Sequence, residues 1–245
     1  KVKEGFVMNV HAQAGKSRIW LLGVGLALGF AGAPSAWADP MSFSLGGVND
    51  SNLTANVLFS YTPTTGTLDI GITNTSALAA GPDPRLTAFA FNVPSAVTSI
   101  SSFSGPSGWS SLFDSNDINT PGQFGFFDIA GLTGPNFNGG SPNSGIPRGS
   151  IFNFQFVLSG SGLLGLTESS FLNVASYDPP GSPNEAEQFF IGRFQRTGPL
   201  GEGSDVAIPT GPPSTVPEPA SLLLMGSGIV GLGVWRRMKV NGIQN

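Results

Sequence analysis

The segment "NVLFSYTPTTGTLDIGITN", residues 56–74, decides the fold class. Each half alternates apolar with polar or small side chains at a period of two, which is the pattern of a β-strand with one buried face. In the second half Leu68, Ile70 and Ile72 share one face. The connecting letters TPTTG, residues 62–66, contain a proline and a glycine, as hairpin turns do. The segment therefore predicts an antiparallel β-hairpin.

Five further runs have strand character, and together they cover much of the chain up to residue 196: residues 87–93, 123–130, 150–160, 170–177 and 187–196. No long helical period appears between residues 39 and 209, and charged side chains are few, so a helical bundle is not expected. We predict an all-β fold of nine or ten short strands in two antiparallel sheets, a jelly-roll-like β-sandwich. A closed barrel is the structural alternative. Residues 131–149 and 178–187 are predicted as surface loops.

Composition excludes several classes of function. Residues 39–215 contain no lysine, histidine or cysteine, and they have four arginines against thirteen acidic residues. The region therefore lacks an imidazole base, a thiol nucleophile and histidine ligands for a metal. An acidic surface repels phosphate backbones, so nucleic acid is not an expected partner.

The N-terminus has the three parts of an export signal in the right order. Lys16 and Arg18 form a basic region, and residues 19–31 form an uncharged apolar region. Ala36 and Ala38 then provide the small residues that signal cleavage requires. We predict a signal peptide over residues 1–38 and a β domain over residues 39–208.

The C-terminus has a second apolar segment. Residues 209–215 form a Pro-rich linker, and residues 220–235 are uncharged. A helix of that length spans about 24 Å, which is slightly less than a bilayer core of about 30 Å. The basic cluster after it is expected to stay in the cytoplasm, which leaves the β domain outside. We predict a C-terminal transmembrane helix that crosses the membrane once.

The same tail resembles a known signal. "VPEPASLLLMGSGIVGLGVWRR" looks like a PEP-CTERM sorting signal, also labelled an ice-binding protein C-terminal region: Pro217, Glu218 and Pro219 precede an apolar helix that ends at Arg236 and Arg237. We assign residues 216–239 to this signal. The eight residues after Arg237 make the end of the chain slightly longer than usual.

The resemblance implies a partner and a destination. Exosortase, a membrane enzyme of Gram-negative bacteria, is expected to process the tail near the Pro-Glu-Pro triplet. The inner membrane would hold the protein only transiently, before transfer to the cell surface or release. Such proteins accompany exopolysaccharide and biofilm. The expected function is that of a secreted, non-enzymatic surface or matrix protein without a cofactor.

Two features offer a binding function instead. The segment "FDSNDINTPG" contains four hard oxygen ligands within a few residues, and these are suited to Ca²⁺ or another ligand: Asp114, Asn116, Asp117 and Asn119. The alternative is a turn in which these side chains cap their own backbone. Trp109 is the one tryptophan of residues 39–215 and is either a sugar platform or a partly buried ring at the end of a sheet. The alternative function is accordingly a carbohydrate- or Ca²⁺-dependent, lectin-like module.

Enzymatic activity has weak support in the sequence. A glycoside hydrolase needs two carboxylates and no histidine, and four glutamates are present: Glu168, Glu185, Glu187 and Glu202. Their spacing does not indicate a pair. The glycine-rich segment 198–207 lacks the lysine of a phosphate-binding loop, so we interpret it as a turn.

Overall fold

The computed structural model describes residues 39–120, 124–177 and 187–216, and these residues form an almost purely β structure. The all-β prediction is confirmed. No helix among these residues has the length and apolar character needed to cross a membrane. The predicted signal peptide and the predicted helix of residues 220–235 lie outside the described residues. The strands are β1 (Met41–Gly47), β2 (Thr54–Thr62), β3 (Thr67–Asn74), β4 (Arg85–Phe91), β5 (Val97–Ser104), β6 (Ser110–Asn119), β7 (Phe126–Leu132), β8 (Ile146–Pro147), β9 (Ile151–Gly160), β10 (Phe190–Thr197), β11 (Gly203–Pro209) and β12 (Ser214–Thr215).

The strands form one continuous sheet rather than the two separate sheets that the sequence predicts. The order of neighbours is β5-β9-β3-β2-β1-β11-β10-β4-β7-β6, with β12 paired to β1 and β8 paired to β4. All of these pairs are antiparallel. The halves are joined because β1 pairs with β2 on one side and with β11 on the other. Among the described residues the end strands β5 and β6 do not pair, so the closed alternative is not formed.

The sheet is folded so that its two halves face each other. Phe89 and Phe91 of β4 meet Phe154 and Phe156 of β9, although β4 and β9 lie far apart in the strand order. The ring centroids of Phe89 and Phe154 are 4.8 Å apart, and those of Phe91 and Phe156 are 5.6 Å apart. The main hydrophobic core therefore lies between the halves and is rich in phenylalanine. Such ring pairs add to the stabilisation that burial of their area provides.

The hairpin that decides the fold class forms as predicted. Strands β2 and β3 pair in register from Ala55–Asn74 to Thr62–Thr67, and Gly66 takes the positive φ of 64° that closes the turn. Leu68, Ile70 and Ile72 are buried in the core. The predicted runs at residues 87–93, 123–130, 150–160 and 187–196 contribute strands β4, β7, β9 and β10.

The prediction of a strand at residues 170–177 is wrong. The chain forms a short helix, α1 (Glu168–Leu172), and Tyr177 makes only an isolated bridge to Phe126. The backbone N–H of Thr167 donates to the hydroxyl of Ser170, 3.0 Å away, which fixes the start of the helix. Phe171 is buried against Tyr61, with ring centroids 4.9 Å apart. Phe171 fits the alternating pattern of a strand, but in the structure it anchors the helix α1 to the core.

Two predicted connections also contain regular structure. The segment 198–207 is a turn only in its first part, because β11 begins at Gly203. The loop predicted at residues 131–149 contains strand β8, and its Phe137 is buried in a second apolar cluster with Ala88 and Ala90 of β4. This cluster covers the other face of β4, so β4 is buried on both faces.

An ion-pair group fastens the connection between β3 and β4 to β10. Asp83 pairs with Arg85 at 2.9 Å and with Arg196 at 3.1 Å. Burial raises the pKa of Asp83, but the hydrogen bonds and positive charges of Arg85 and Arg196 outweigh burial and hold this pKa below its usual value. The group is partly exposed to solvent, so its contribution to stability is modest.

We expect Asp83→Asn to lower the free energy of unfolding by up to about 1 kcal/mol at neutral pH. A carboxylate whose pKa is depressed by folding contributes stability above its unfolded pKa of about 3.9 and loses it as the pH falls through the folded value. The difference between wild type and variant should therefore shrink in acid, as measured by urea unfolding over a pH series. Asp117→Asn is the control, because Asp117 is exposed and makes no ion pair among the described residues. A difference that stays constant down to pH 2 would contradict the assignment.

Candidate functional site

The acidic segment is a bulge in an edge strand rather than a loop. In the β6–β7 pair, Phe113 faces Ile129 and Ile118 faces Phe127, so residues 114–117 together oppose the single residue Asp128. Asn116 has a positive φ of 54° within this bulge. The backbone therefore leaves the regular ladder at the position where the sequence suggested a site.

Asp128 holds this bulge in place. The side chain is buried, and one carboxylate oxygen accepts the backbone N–H of Asn116 at 2.7 Å. The other oxygen accepts the backbone N–H of Val93 at 3.0 Å. A carboxylate that accepts backbone N–H groups forms strong hydrogen bonds. The side chain of Asp128 thus performs the capping that the sequence assigned to the Asx residues themselves.

The four candidate oxygen ligands are all exposed, three of them on this bulge and the last just after it: Asp114, Asn116, Asp117 and Asn119. Within the described ranges, no group of three or more acidic, histidine or cysteine side chains is placed to hold a metal ion. The backbone of the bulge is held by the hydrogen bond that Asn116 donates to Asp128.

Trp109 lies in the core and does not join the exposed bulge. Its side chain is 9% exposed, and the ring centroid is 4.7 Å from that of Phe154. The indole N–H donates to the carbonyl oxygen of Ser144 at 2.8 Å. Both the apolar body and the polar group of the side chain therefore make contacts within the domain, as expected for a partly buried ring.

The glutamates are placed in different environments. Glu168 is buried in α1, and its carboxylate accepts the backbone N–H of Tyr61 at 2.9 Å. Glu187 and Glu202 are exposed, and Glu185 lies outside the described residues. Burial raises the pKa of Tyr61, whose hydroxyl donates to the carbonyl oxygen of Leu163. Glu168 therefore fastens α1 to β2, which is a structural role.

The outer face of the sheet has a depression that the sequence-based predictions did not include. It has a volume of about 400 Å³ and lies over strands β2, β3 and β9. We call it the β3 groove and define it by six residues: Leu58, Ser60, Asp69, Gly71, Asn153 and Gln155. Gly71 occupies the outward position between Asp69 and Thr73, where a side chain would fill the space. A glycine inside a strand often marks the close approach of a ligand or another backbone, and this signal was available in the sequence.

The predicted linker, residues 209–215, is held against β1. The backbone N–H of Thr210 donates to the carbonyl oxygen of Ser44 at 2.9 Å, and β12 pairs with β1 in register from Met41–Thr215 to Ser42–Ser214. The backbone N–H of Val216 donates to the carbonyl oxygen of Pro40 at 2.8 Å. The sequence of this Pro-rich segment does not predict the pairing of β12 with β1, because a two-residue strand is too short to show a periodic pattern.

Both ends of the described domain therefore lie side by side. Pro40 comes two residues after Ala38, where signal cleavage is predicted, and Val216 directly precedes Pro217. The predicted sorting residues Pro217, Glu218, Pro219, Arg236 and Arg237 lie outside the described residues, as do Ala36 and Ala38. The backbone hydrogen bond between Val216 and Pro40 thus lies directly next to the predicted sorting triplet in the sequence.

Comparison with protein families identifies the tail. The model of the PEP-CTERM protein-sorting motif matches residues 215–237, which include the Pro-Glu-Pro triplet and both arginines. The chain therefore carries this motif, and the resemblance stated from the sequence is confirmed. No curated protein and no solved structure matches the chain.

Proposed function

We propose that the protein is an exosortase substrate that reaches the cell surface or the extracellular matrix of a Gram-negative bacterium and acts there without enzymatic activity. The match of residues 215–237 to the PEP-CTERM motif carries this proposal, because the motif belongs to exported, membrane-processed proteins. In this proposal exosortase is the processing partner, the inner membrane holds the tail transiently, and exopolysaccharide or biofilm is the destination.

Features of the described domain support this assignment. Strand β12 ends at Thr215, so a cut near Pro217–Pro219 would leave every strand of the described residues intact. The sheet folded around a phenylalanine-rich core suits a jelly-roll-like sandwich that serves as a rigid scaffold. The absence of lysine, histidine and cysteine from residues 39–215 supports a role in binding or structure that needs no cofactor.

The mature C-terminus provides a direct test. We expect the surface form of the protein to end close to Pro217–Pro219 and to lack residues 220–245, because the enzyme processes the tail near the triplet. Intact-mass and C-terminal peptide analysis of protein shaved from the cell surface measures this end. The membrane fraction of a strain without exosortase is the control and should contain the uncut tail. An uncut tail on the surface form would overturn the proposal.

A further inference from the structure

The β3 groove is a built depression and not an accidental gap between loops. It lies on the outer face of adjacent paired strands, with Leu58 facing Gly71 and Gly71 facing Asn153 in the register. A Cβ atom added to Gly71 would lie 3.1 Å from the side-chain oxygen of Asn153 and 3.7 Å from Cβ of Leu58. A side chain at residue 71 would therefore crowd Asn153 and narrow the depression.

A row of polar side chains crosses four strands beside Gly71. Ser60 of β2 faces Asp69 of β3, Asp69 faces Gln155 of β9, and Gln155 faces Ser104 of β5. Since neighbouring strands lie about 4.8 Å apart, the row is about 14 Å long. The side-chain amide of Gln155 donates to Oδ1 of Asp69 at 2.8 Å, so these two groups are oriented before a ligand arrives.

The chemistry of this row is suited to hydroxyl groups. The serine hydroxyls and the side-chain amides both donate and accept, and the carboxylate of Asp69 is a strong acceptor for an O–H donor. Leu58 is 43% exposed and provides an apolar contact at the edge of the groove for C–H groups. A molecule with hydroxyls on one edge and C–H groups on its face fits both requirements.

Charge argues against an anionic ligand. Among the described residues that line the groove, Asp69 is the one charged side chain, and no lysine, arginine or histidine is present. A phosphate or carboxylate ligand would be repelled by Asp69 and would find no cation to pair with. The groove also offers a calcium ion only one carboxylate, that of Asp69, whereas calcium takes six or more oxygen ligands.

We propose that the β3 groove binds a neutral polysaccharide chain laid across strands β2, β3, β9 and β5. This inference rests on the proposed function, because an exported matrix protein meets such chains, and it names the site and the chemical class of ligand. Asp69 accepts sugar hydroxyls, Asn153 and Gln155 position the chain, and Leu58 contacts its C–H groups.

Two groove variants test this proposal. Asp69→Ala removes the charged acceptor, and Gly71→Val places a side chain in the depression that must displace the side chain of Asn153. We expect each to weaken binding at least about tenfold, the first because it removes a hydrogen-bond acceptor that carries a charge and the second because it occupies space in the groove. The control is Thr73→Val, a nearly isosteric change on the same strand and outer face but outside the groove.

The measurement uses the full protein recovered from the cell surface or, where none is found there, from the membrane fraction. Its affinity for immobilised neutral glucan, mannan and galactan chains is compared with that for anionic alginate, and the melting temperature of each variant is recorded. Neutral-chain binding that is lost in both groove variants and kept in Thr73→Val supports the proposal. Binding unchanged in the groove variants, binding to alginate alone, or no binding by the wild type overturns it.

The same experiment separates this inference from the proposed function. Surface recovery reports sorting and does not depend on the groove. Protein that reaches the surface but binds no neutral chain contradicts the groove assignment alone. Protein that binds through the groove but never reaches the surface contradicts the sorting assignment alone.

Discussion

Deleting residues 217–245 is expected to cause near-complete loss of the protein from the cell surface. The deletion removes the Pro-Glu-Pro triplet, the apolar segment of residues 220–235 and the basic cluster, so neither the membrane nor exosortase can hold the chain. It leaves Val216, whose N–H donates to Pro40, so strand β12 and the domain are preserved. Protease shaving of whole cells, followed by fractionation of the compartments, measures the loss.

A variant that keeps the tail separates recognition from anchoring. Replacing Pro217, Glu218 and Pro219 with alanines leaves the apolar segment and the arginines in place. We expect this variant to accumulate uncut in the inner membrane. The truncated protein should instead be soluble on the side of the inner membrane away from the cytoplasm. Normal surface delivery of either protein would show that the motif is not the sorting signal of this chain.

Phe89→Ala is expected to lower the free energy of unfolding by about 3–5 kcal/mol. Phe89 is fully buried, and its ring contacts those of Trp109, Phe154 and Phe190. These contacts connect β4 and β10 with β9 across the core, so the cavity left by alanine lies where the two halves of the sheet meet. A loss of this size is a large share of the about 5–15 kcal/mol that stabilises a typical domain.

Equilibrium urea unfolding followed by tryptophan fluorescence measures this loss, because Trp109 reports on the same core. Leu200→Ala is the control, since Leu200 is 81% exposed and its truncation should change stability by less than about 0.5 kcal/mol. Equal stability of the two variants would mean that the halves of the sheet are not held together through Phe89.

Local patterns in the sequence predicted six of the twelve described strands but not their arrangement. The alternation of Leu68, Ile70 and Ile72 is a local property, and it predicted β3 correctly. The pairing of β1 with β11 joins residues about 160 positions apart, and periodicity contains no information about such partners. The strand order and the single folded sheet were therefore beyond the reach of the sequence pattern.

The candidate site shows the same division. The sequence shows oxygen-bearing side chains close together at residues 114–119, but it contains no sign that Asp128, on another strand, orders the backbone there. Phe171 fitted a strand pattern, and the helix formed because its start is capped locally and its ring is buried against Tyr61. Gly71 is the exception, because a glycine in an otherwise regular strand was a usable signal for the groove.

The position of β1 has a consequence for the timing of folding. The first strand lies between β2 and β11, and the last strand, β12, also pairs with it. A chain that crosses a membrane from its N-terminus delivers β1 first and the partners that complete its ladder last. Contacts between such distant residues form slowly. Completion of the sheet and arrival of the sorting tail at the membrane are thus consecutive events, and a chain interrupted before residue 203 lacks both.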